Sequence, residues 1–413
     1  MPHPSLTAYL AATSRRTVGW FGFGVLCLFV LVAWKFNFHT ALYQNFVYQA
    51  DAFLHGQLHY RLLPPTLADS ACFSSRCFWP LGPFPSLLIL PLVAAFGVQP
   101  FQAYLQVLVT SGVAGLAYAH ARRQGFSWAD GVWLALAFTF GSVYLGVAFK
   151  AYAWQFAAGL ACLGGLAALY LHRIGRSSWL VGLVAAAAIA TRLTAGVVLI
   201  PIALAYLMDH SRIPMLRARS LAALMAPVLV ALLLLGLFNY VRFGSPLETG
   251  YTYADVSPAQ MVAARARYGL VSLAHVPTNL YFYFLAPPRP VVEPSTNHLV
   301  PPYVTLNLGV GFFYLSPFFL LMFRGDWRKR WRRLVGAGAL VGTGVLLTYY
   351  ATNYFHFGTY YLADVLPLYY LLLLEGFREA RLVGRERLLI LLSLMFNFYL
   401  FAHLPKLTLP FVL

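Results

Sequence analysis

The chain has 413 residues, of which 60% are hydrophobic and only 10% are charged. Because soluble domains carry about 25% charged residues, this composition excludes an ordinary soluble protein. The formal net charge is +17, but the basic residues fall in short clusters between apolar segments. They therefore indicate membrane topology, and no nucleic-acid partner is expected.

Apolar segments of membrane-spanning length recur along the chain. They predict an all-α fold, a polytopic transmembrane helical bundle of about eleven spans. The first span is predicted at 17–34 and is expected to be retained, because it is longer than the apolar part of a signal peptide and lacks a convincing cleavage site. Arg15 and Arg16 precede it and place the N-terminus in the cytoplasm.

The first outer loop is predicted to span 37–98 and to contain juxtamembrane helices. Its last part, 84–98, is apolar but shorter than the roughly 20 residues needed to cross the hydrocarbon. We therefore expect a juxtamembrane or re-entrant helix there. With that assignment, every later basic cluster falls on the inner side.

Further spans are predicted at about 101–120, 128–148, 153–171, 178–190, 194–208, 220–240, 306–323, 334–352, 362–376 and 388–403. Segment 241–305 is then a second large outer loop, and the inner loops are too short to fold. The chain is therefore predicted to be one integral-membrane domain, 1–413, whose chemistry belongs to its outer face.

Ionisable side chains close to hydrocarbon are costly unless they are paired or face a water-filled cavity, so they are the first functional candidates. Arg192 lies between two apolar segments. Its guanidinium either extends to lipid phosphates at the interface or points into a cavity that holds a phosphate group. Lys150, at the end of a predicted span, has the same two interpretations.

Two carboxylates of the first outer loop compete for a catalytic role. Asp51 follows an aromatic, weakly helical stretch and either pairs with a neighbour such as Arg61 or acts as a general base towards a hydroxyl group. Asp69 lies in a sequence typical of a solvated turn. His55 and His59 are four residues apart, but Gly56 weakens the helix and no carboxylate completes a metal-binding pattern, so no metal site is predicted.

Cys72 and Cys77 share the same polar loop. Their spacing does not match a zinc site, and no other paired ligands complete one. In an oxidising compartment they are expected to form a local disulfide, and otherwise to remain thiols.

Five phrases resemble bacterial membrane glycosyltransferases of the GT-C superfamily, the group that includes protein O-mannosyltransferases and lipid A aminoarabinose transferases. The phrases are Tyr48–Gly56, Trp79–Pro85, Thr191–Ala195, Asn239–Tyr251 and Phe357–Pro367. The phrases are distributed in order along nearly the whole chain, and Asn239–Tyr251 is the most specific of them.

The resemblance implies an enzyme of the bacterial cytoplasmic (inner) membrane, with its active site facing the periplasm or exterior. It implies inverting transfer of a sugar, a hexose or pentose, from a polyprenyl-phosphate donor to a hydroxyl of a glycan, lipid or protein acceptor. Asp51 matches the catalytic first-loop aspartate, and Arg192 matches an arginine expected near the donor phosphate. No cofactor is expected.

Lys150 and Arg242 are expected to add positive charge at the donor phosphate. Substrate contacts are expected from six further residues: His55, Asp69, Glu248, Tyr251, Tyr360 and Asp364. Tyr360 stands where relatives often have arginine. The aromatic segments 43–53 and 281–284 are candidate walls for an apolar groove that holds the polyprenyl tail.

Two other functions remain open. A lipid-linked sugar transporter or flippase would share basic cavity residues, although the paired broken helices or pseudo-repeats typical of transporters are not found. A non-catalytic membrane scaffold of the same fold is the other alternative.

Overall fold

The structure is a computed structural model that describes residues 43–208, 213–254, 259–293, 295–305, 309–352 and 357–408. It is mostly helical, with 69% helix and 5% strand, which confirms the all-α class. The first predicted span, 17–34, lies outside the described residues.

The α-helices are, in chain order, α1 Asn45–Leu54, α2 Phe84–Phe96, α3 Phe101–Gln124, α4 Trp128–Phe140, α5 Leu145–Ala148, α6 Ala153–Arg173, α7 Ser178–Thr191, α8 Leu199–Leu207, α9 Pro214–Phe243, α10 Ala259–Tyr268, α11 Val276–Leu280, α12 Phe312–Leu315, α13 Arg330–Leu347, α14 Leu366–Leu374 and α15 Gly384–Thr408. Short 3₁₀ helices lie at Leu193–Val198, Tyr251–Tyr253, Leu273–His275, Pro317–Phe323, Tyr360–Asp364 and Arg378–Ala380, and a π-helix at Tyr281–Leu285. Four strands form two antiparallel hairpins, β1 Ala71–Phe73 with β2 Arg76–Phe78, and β3 Arg289–Val292 with β4 Leu299–Thr305.

Several predicted spans coincide with single helices, and four do not: 128–148, 194–208, 306–323 and 362–376. The spans predicted at 101–120, 153–171 and 178–190 correspond to α3, α6 and α7. The span predicted at 128–148 is broken between α4 and α5. Ser142 stabilises the break, because its hydroxyl donates to the Phe138 carbonyl at 2.5 Å and accepts from the Tyr144 amide at 3.1 Å.

The predicted spans 194–208 and 362–376 each start inside a 3₁₀ helix that the sequence did not predict. The first of these 3₁₀ helices is Leu193–Val198, and the second is Tyr360–Asp364. Arg192 lies immediately before the first, in an extended conformation (φ −148°, ψ 121°) that ends α7. The departures from regular helix therefore place Arg192 and Asp364 at the ends of helical segments.

Basic residues collect at one end of the bundle. Arg173, at the end of α6, donates from Nη2 to Oε1 of Gln124, the last residue of α3, at 2.6 Å. The neighbouring His172 ring stacks on Trp331, near the start of α13, with the ring centroids 5.4 Å apart. Three basic clusters that the sequence assigned to one side of a membrane, 122–123, 172–176 and 327–333, therefore meet in space.

The segment 43–83 lies at the opposite end of α6. The Ala153 amide, at the start of α6, donates to the Tyr43 carbonyl at 3.0 Å. A helix of 21 residues is about 30 Å long, which is close to the thickness of a bilayer's hydrocarbon core. The two ends of α6 are therefore separated by about one membrane thickness.

The segment 43–83 is an ordered structure with its own small core. Phe46 of α1 packs edge-on against the ring of Trp79, with centroids 5.8 Å apart, and both side chains are buried. The hairpin of β1 and β2 follows, and the structure joins Cys72 to Cys77 by a disulfide across it. The sequence predicted helices in this segment but not the hairpin.

Helix α7 packs closely on α6 and α9. A Cβ atom at Gly182 of α7 would lie 2.1 Å from the Leu224 carbonyl oxygen of α9, so only glycine permits this approach. The contact fixes α7 against α9, and both helices then run on to Arg192 and Arg242.

Among the described residues, two helices are long and apolar enough to cross a membrane by length and composition, α6 and α9. Helices α2, α4 and α7, together with the stretch Leu193–Leu207, are apolar but shorter. The arrangement of about eleven spans stays a prediction.

Candidate functional site

A cavity of about 410 Å³ lies where six separate parts of the chain meet. Its wall includes Pro80–Gly82, Thr191–Thr194, the last turns of α9 with the loop to Tyr251, and Tyr361. These segments belong to four of the five phrases on which the family resemblance rests. The fifth phrase, Tyr48–Gly56, does not line this cavity.

The approach of Pro80–Gly82 to α7 depends on a glycine. A Cβ atom at Gly82 would lie 2.1 Å from the Ala190 carbonyl oxygen and 3.1 Å from that of Thr191. Any other residue would push the segment away from the end of α7. Gly82 therefore helps to set the width of the cavity beside Arg192.

Arg192 lines the cavity, as the sequence predicted, but its charge is already compensated. Its Nε lies 3.0 Å from both carboxylate oxygens of Asp364, and the Thr194 hydroxyl also donates to Asp364. The side chains are 8% and 0% exposed. Asp364, predicted as a substrate contact, is therefore the buried counter-ion of Arg192.

Arg242 lines the same cavity and has a different electrostatic setting. Its guanidinium donates to the Trp79 carbonyl at 2.8 Å, to Oδ1 of Asn239 at 2.7 Å and to the Phe238 carbonyl at 3.3 Å. It also lies 3.8 Å from the centroid of the Phe238 ring. All of these partners are neutral, and within the described ranges no carboxylate pairs with Arg242.

The exposed fraction of Arg242 is only 5%. Removing an ion from water costs several kcal/mol, and that cost is normally offset by an ion of opposite charge. Neutral carbonyls and an aromatic ring offset only part of it. The site is therefore prepared for an anion, and Arg242 is the group that requires one.

Much of the remaining wall is apolar. It is formed by Leu235 and Phe238 of α9, Leu247, Leu270, Val271, and Val345 and Leu346 of α13. The segments 43–53 and 281–284, which the sequence suggested as walls of a groove for a polyprenyl tail, are not among the residues that line this cavity, and their role stays a prediction.

Tyrosines form the polar rim of the cavity. Tyr251, Tyr349 and Tyr361 line it, and the Arg192 guanidinium lies 5.5 Å from the Tyr361 ring centroid. Burial raises the pKa of Tyr251 above its ordinary value, and the Arg192 guanidinium opposes that increase. Tyr360 is buried, lies outside the lining residues, and stacks on Tyr361 with centroids 4.6 Å apart. Tyr360 thus supports the rim from behind.

Asp51 is held in an ion pair away from this cavity. Arg61 donates from Nε and Nη2 to the two Asp51 carboxylate oxygens, each at 2.9 Å. Asp51 is 5% exposed, and it is not among the residues that line the cavity. The sequence left open whether Asp51 pairs with Arg61 or acts as a general base, and the structure shows the pairing with Arg61.

Asp69 lies outside the cavity wall, near the segment that carries Tyr251. Two residues beyond it, Ala71 forms an isolated antiparallel bridge with Ala254, three residues after Tyr251. The Asp69 carboxylate is near enough to Tyr251 to contribute, after burial, to the raised pKa of that phenol. It is half-buried and has a left-handed backbone conformation (φ 60°).

Three other predicted residues lie outside the cavity wall. The Lys150 ammonium lies 5.6 Å from the centroid of the Tyr152 ring, and desolvation lowers its pKa to about 8. His55 is exposed, and its Nδ1 lies 2.8 Å from the Asp51 backbone carbonyl. Glu248 accepts a hydrogen bond from the Gly250 amide at 2.7 Å and stabilises the turn that leads to Tyr251.

Sequence reasoning did not single out four residues of the cavity and its ion pair: Thr194, Asn239, Tyr349 and Tyr361. All but Tyr349 lie within phrases that carry the family resemblance, and that signal could have found them. In the described part of the chain, no group of three or more His, Cys, Asp or Glu side chains is placed to hold a metal ion.

Comparison with known proteins gives no match to a protein-family model, to a curated protein or to a solved structure.

Proposed function

We propose that this protein is an integral-membrane glycosyltransferase of the GT-C type, which transfers a hexose or pentose from a polyprenyl-phosphate carrier to an acceptor hydroxyl. The observation that carries the proposal is Arg242, a buried guanidinium with neutral partners in the wall of a largely apolar cavity. A lipid-linked phosphate supplies the anion for the guanidinium and the hydrocarbon for the apolar wall.

The chemistry needs a cation at this position. When the acceptor oxygen attacks the anomeric carbon, the bond from that carbon to the phosphate oxygen breaks, and the electron pair leaves with the polyprenyl phosphate. Negative charge therefore accumulates on the phosphate in the transition state. A fixed donor that meets such charge in a site of low dielectric contributes about 3–4 kcal/mol.

The two arginines have different roles in this proposal. Arg242 binds the phosphate directly, because its positive charge is not balanced by a carboxylate among the described residues. Arg192, neutralised by Asp364, positions Tyr361 at the rim and adds a weaker dipolar contribution. Lys150 lies outside the cavity wall and is assigned no contact with the donor.

The polyprenyl tail requires an apolar path from the bilayer. Helix α9 supports such a path, because most of its apolar surface is exposed and it contributes Leu235 and Phe238 to the cavity. A hydrocarbon tail that enters between α9 and α13 contacts Val345 and Leu346 on the other side. Lipid is the solvent in which this exposed apolar surface is stable.

We assign the general base to Asp69 in place of Asp51. The Asp51 carboxylate is engaged by both donors of Arg61, so it would have to break a bidentate ion pair before accepting a proton. Asp69 also lies outside the cavity wall, but Ala71, two residues beyond it, bridges to Ala254 in the segment that carries the rim residue Tyr251. In this mechanism the acceptor hydroxyl gives its proton to Asp69 while its oxygen attacks the face opposite the phosphate, which inverts the anomeric carbon.

The site is proposed to face the periplasm or exterior of the bacterial inner membrane. What supports this side is the Cys72–Cys77 disulfide, because disulfides persist in oxidising compartments. The basic clusters at the far end of α6 support the same orientation, since basic loops favour the cytoplasm.

Reconstitution tests the proposal. The full chain in lipid nanodiscs is incubated with radiolabelled polyprenyl-phosphate hexoses and pentoses and with a cell-envelope extract as acceptor. We expect release of polyprenyl phosphate together with labelled product, and we expect Arg242→Gln to lower kcat/KM by about 100- to 1000-fold.

The matched control is Arg267→Gln, because Arg267 is an exposed arginine in the same large loop and stacks on Tyr268 at 5.1 Å. It is expected to retain wild-type turnover. Wild-type turnover in Arg242→Gln would overturn the proposal. Binding of the donor without release of polyprenyl phosphate would favour a transporter or scaffold.

A second pair of variants tests the base. Asp69→Asn is expected to lower kcat about 100-fold or more while KM for the donor stays unchanged. Asparagine also tolerates the left-handed conformation of residue 69, so folding should be preserved. Asp51→Asn is expected to lower the unfolding temperature and to retain most of the turnover. The reverse pattern would return the catalytic role to Asp51.

A further inference from the structure

A second cavity, of about 430 Å³, meets the first at Arg242. Among the residues that the structure describes, Arg242 alone lines both cavities. The segment Trp79–Gly82 contacts both Arg242 and α7, because the Trp79 carbonyl accepts from the Arg242 guanidinium and Gly82 packs on the end of α7. The two cavities are therefore neighbours that share Arg242.

The lining of the second cavity is polar and basic. It includes Arg76, His59, Gln57 and Ser74 in addition to Arg242, and none of its described lining residues is acidic. The volume is within the range of small-molecule sites and is sufficient for a sugar unit with its substituent. Two guanidinium groups without an acidic neighbour in the wall favour an anionic ligand.

The disulfide hairpin builds one wall of this cavity. Phe73, Ser74, Arg76 and Phe78 all belong to the strands β1 and β2 or to the turn between them. The Phe78 ring packs on Phe243, the last residue of α9, with centroids 5.2 Å apart. The hairpin is thereby fixed on the helix end that carries Arg242.

The opposite wall is fixed to the same hairpin. The Tyr60 amide donates to the Cys77 carbonyl at 2.8 Å, which holds the chain from Gln57 to Tyr60 alongside β2. The His59 ring packs on Phe78 at 6.2 Å. Both walls of the cavity are therefore preorganised, a property that lowers the entropic cost of binding.

We infer that the second cavity is the acceptor subsite and that it binds an acceptor carbohydrate carrying a phosphate group, held by Arg76 and Arg242. The inference rests on the proposed transferase function and adds the chemical class of the acceptor. The phosphate of the acceptor anchors the sugar beside Arg242, and the free hydroxyl extends past the guanidinium into the first cavity, where it attacks the anomeric carbon from the face opposite the donor phosphate. The donor phosphate contacts the same guanidinium from the first cavity.

The test measures two ligands separately on the full chain in nanodiscs by isothermal titration calorimetry. Glucose 6-phosphate is the probe for the second cavity, with glucose as its neutral counterpart, and farnesyl phosphate is the probe for the first. We expect the wild type to bind glucose 6-phosphate at least tenfold more tightly than glucose.

The variant His59→Gln/Arg76→Gln removes the basic groups that belong to the second cavity alone. It is expected to weaken glucose 6-phosphate binding at least tenfold and to leave the affinity for farnesyl phosphate within about twofold of the wild type. The matched control Arg289→Gln, at an exposed arginine of β3, is expected to change neither affinity.

Each other outcome overturns the inference. Equal affinities for glucose and glucose 6-phosphate would exclude a phosphate subsite, and unchanged glucose 6-phosphate binding in the double variant would place the phosphate elsewhere. A parallel loss of farnesyl phosphate binding would mean that the cavities are not separate subsites. Failure of farnesyl phosphate to bind the wild type is a different result, because it contradicts the proposed function itself.

Discussion

The buried pair Arg192–Asp364 gives a prediction about stability. We consider three variants: Arg192→Met, Asp364→Leu and the double variant. Each single variant leaves one uncompensated charge in a site where the partner side chains are 8% and 0% exposed. The expected cost of each is about 3–5 kcal/mol in the free energy of unfolding.

The double variant is expected to be nearly neutral. At about 4 Å and an effective dielectric constant of about 20, the attraction between two unit charges is about 4 kcal/mol. Desolvation of the two ions costs several kcal/mol each, so the attraction is largely cancelled when both are present. Two apolar side chains of similar size remove both contributions and should restore the free energy of unfolding to within about 1–2 kcal/mol of the wild type.

Urea titration of the full chain in mixed micelles, followed by tryptophan fluorescence, measures all three variants. The control is Arg267→Met, because Arg267 is an exposed arginine of α10 whose guanidinium lies over the ring of the neighbouring Tyr268 at 5.1 Å. Its loss should cost no more than about 1 kcal/mol. A double variant whose destabilisation equals the sum of the two single variants would refute this account of the pair.

Three further predictions follow from the geometry. Gly82→Ala should destabilise the protein by about 1–3 kcal/mol and weaken farnesyl phosphate binding, because the new Cβ would lie 2.1 Å from the Ala190 carbonyl oxygen. The control Gly115→Ala places no atom within 4 Å of its new Cβ, so it should match the wild type in the same unfolding and calorimetric assays. Cys72→Ser/Cys77→Ser should lower the free energy of unfolding by about 2 kcal/mol and weaken glucose 6-phosphate binding more than farnesyl phosphate binding. Equal effects on the two ligands would argue against the hairpin of β1 and β2 as a wall of the second cavity. Burial lowers the pKa of Lys150 to about 8 in the folded chain, below the roughly 10.4 of an exposed lysine. Between these pH values the unfolded state binds more protons, so the unfolding free energy of the wild type should rise relative to that of Lys150→Met as the pH increases from about 8 to about 10. A difference between the two proteins that stays constant with pH would contradict the assignment.

Composition and apolar segment length were sufficient to predict the fold class and the positions of α3, α6 and α7, because these segments are predominantly apolar and contain no proline. The break in the span predicted at 128–148 was not visible, since it depends on how the Ser142 hydroxyl satisfies the Phe138 carbonyl. The hairpin at 71–78 is three residues per strand, which is too short for an alternating pattern to be recognised.

At the site, the sequence identified the two cavity arginines but not what distinguishes them. Asp364 is 172 positions from Arg192, and no local pattern indicates such a contact. For Asp51 the sequence left open a pairing with Arg61 or a role as general base, and the structure has the pairing. Partners distant in sequence determine the charge state of a site, and only the fold reveals them.

One guanidinium that contacts two cavities has a kinetic consequence. An anion bound on either side of Arg242 reduces the positive potential available to an anion on the other, so the two ligands should bind with negative cooperativity. Thermodynamic linkage makes that antagonism reciprocal. In the proposed reaction, excess acceptor should then compete for the donor's counter-ion and inhibit transfer, and departure of the polyprenyl phosphate should be favoured while the product still holds the arginine.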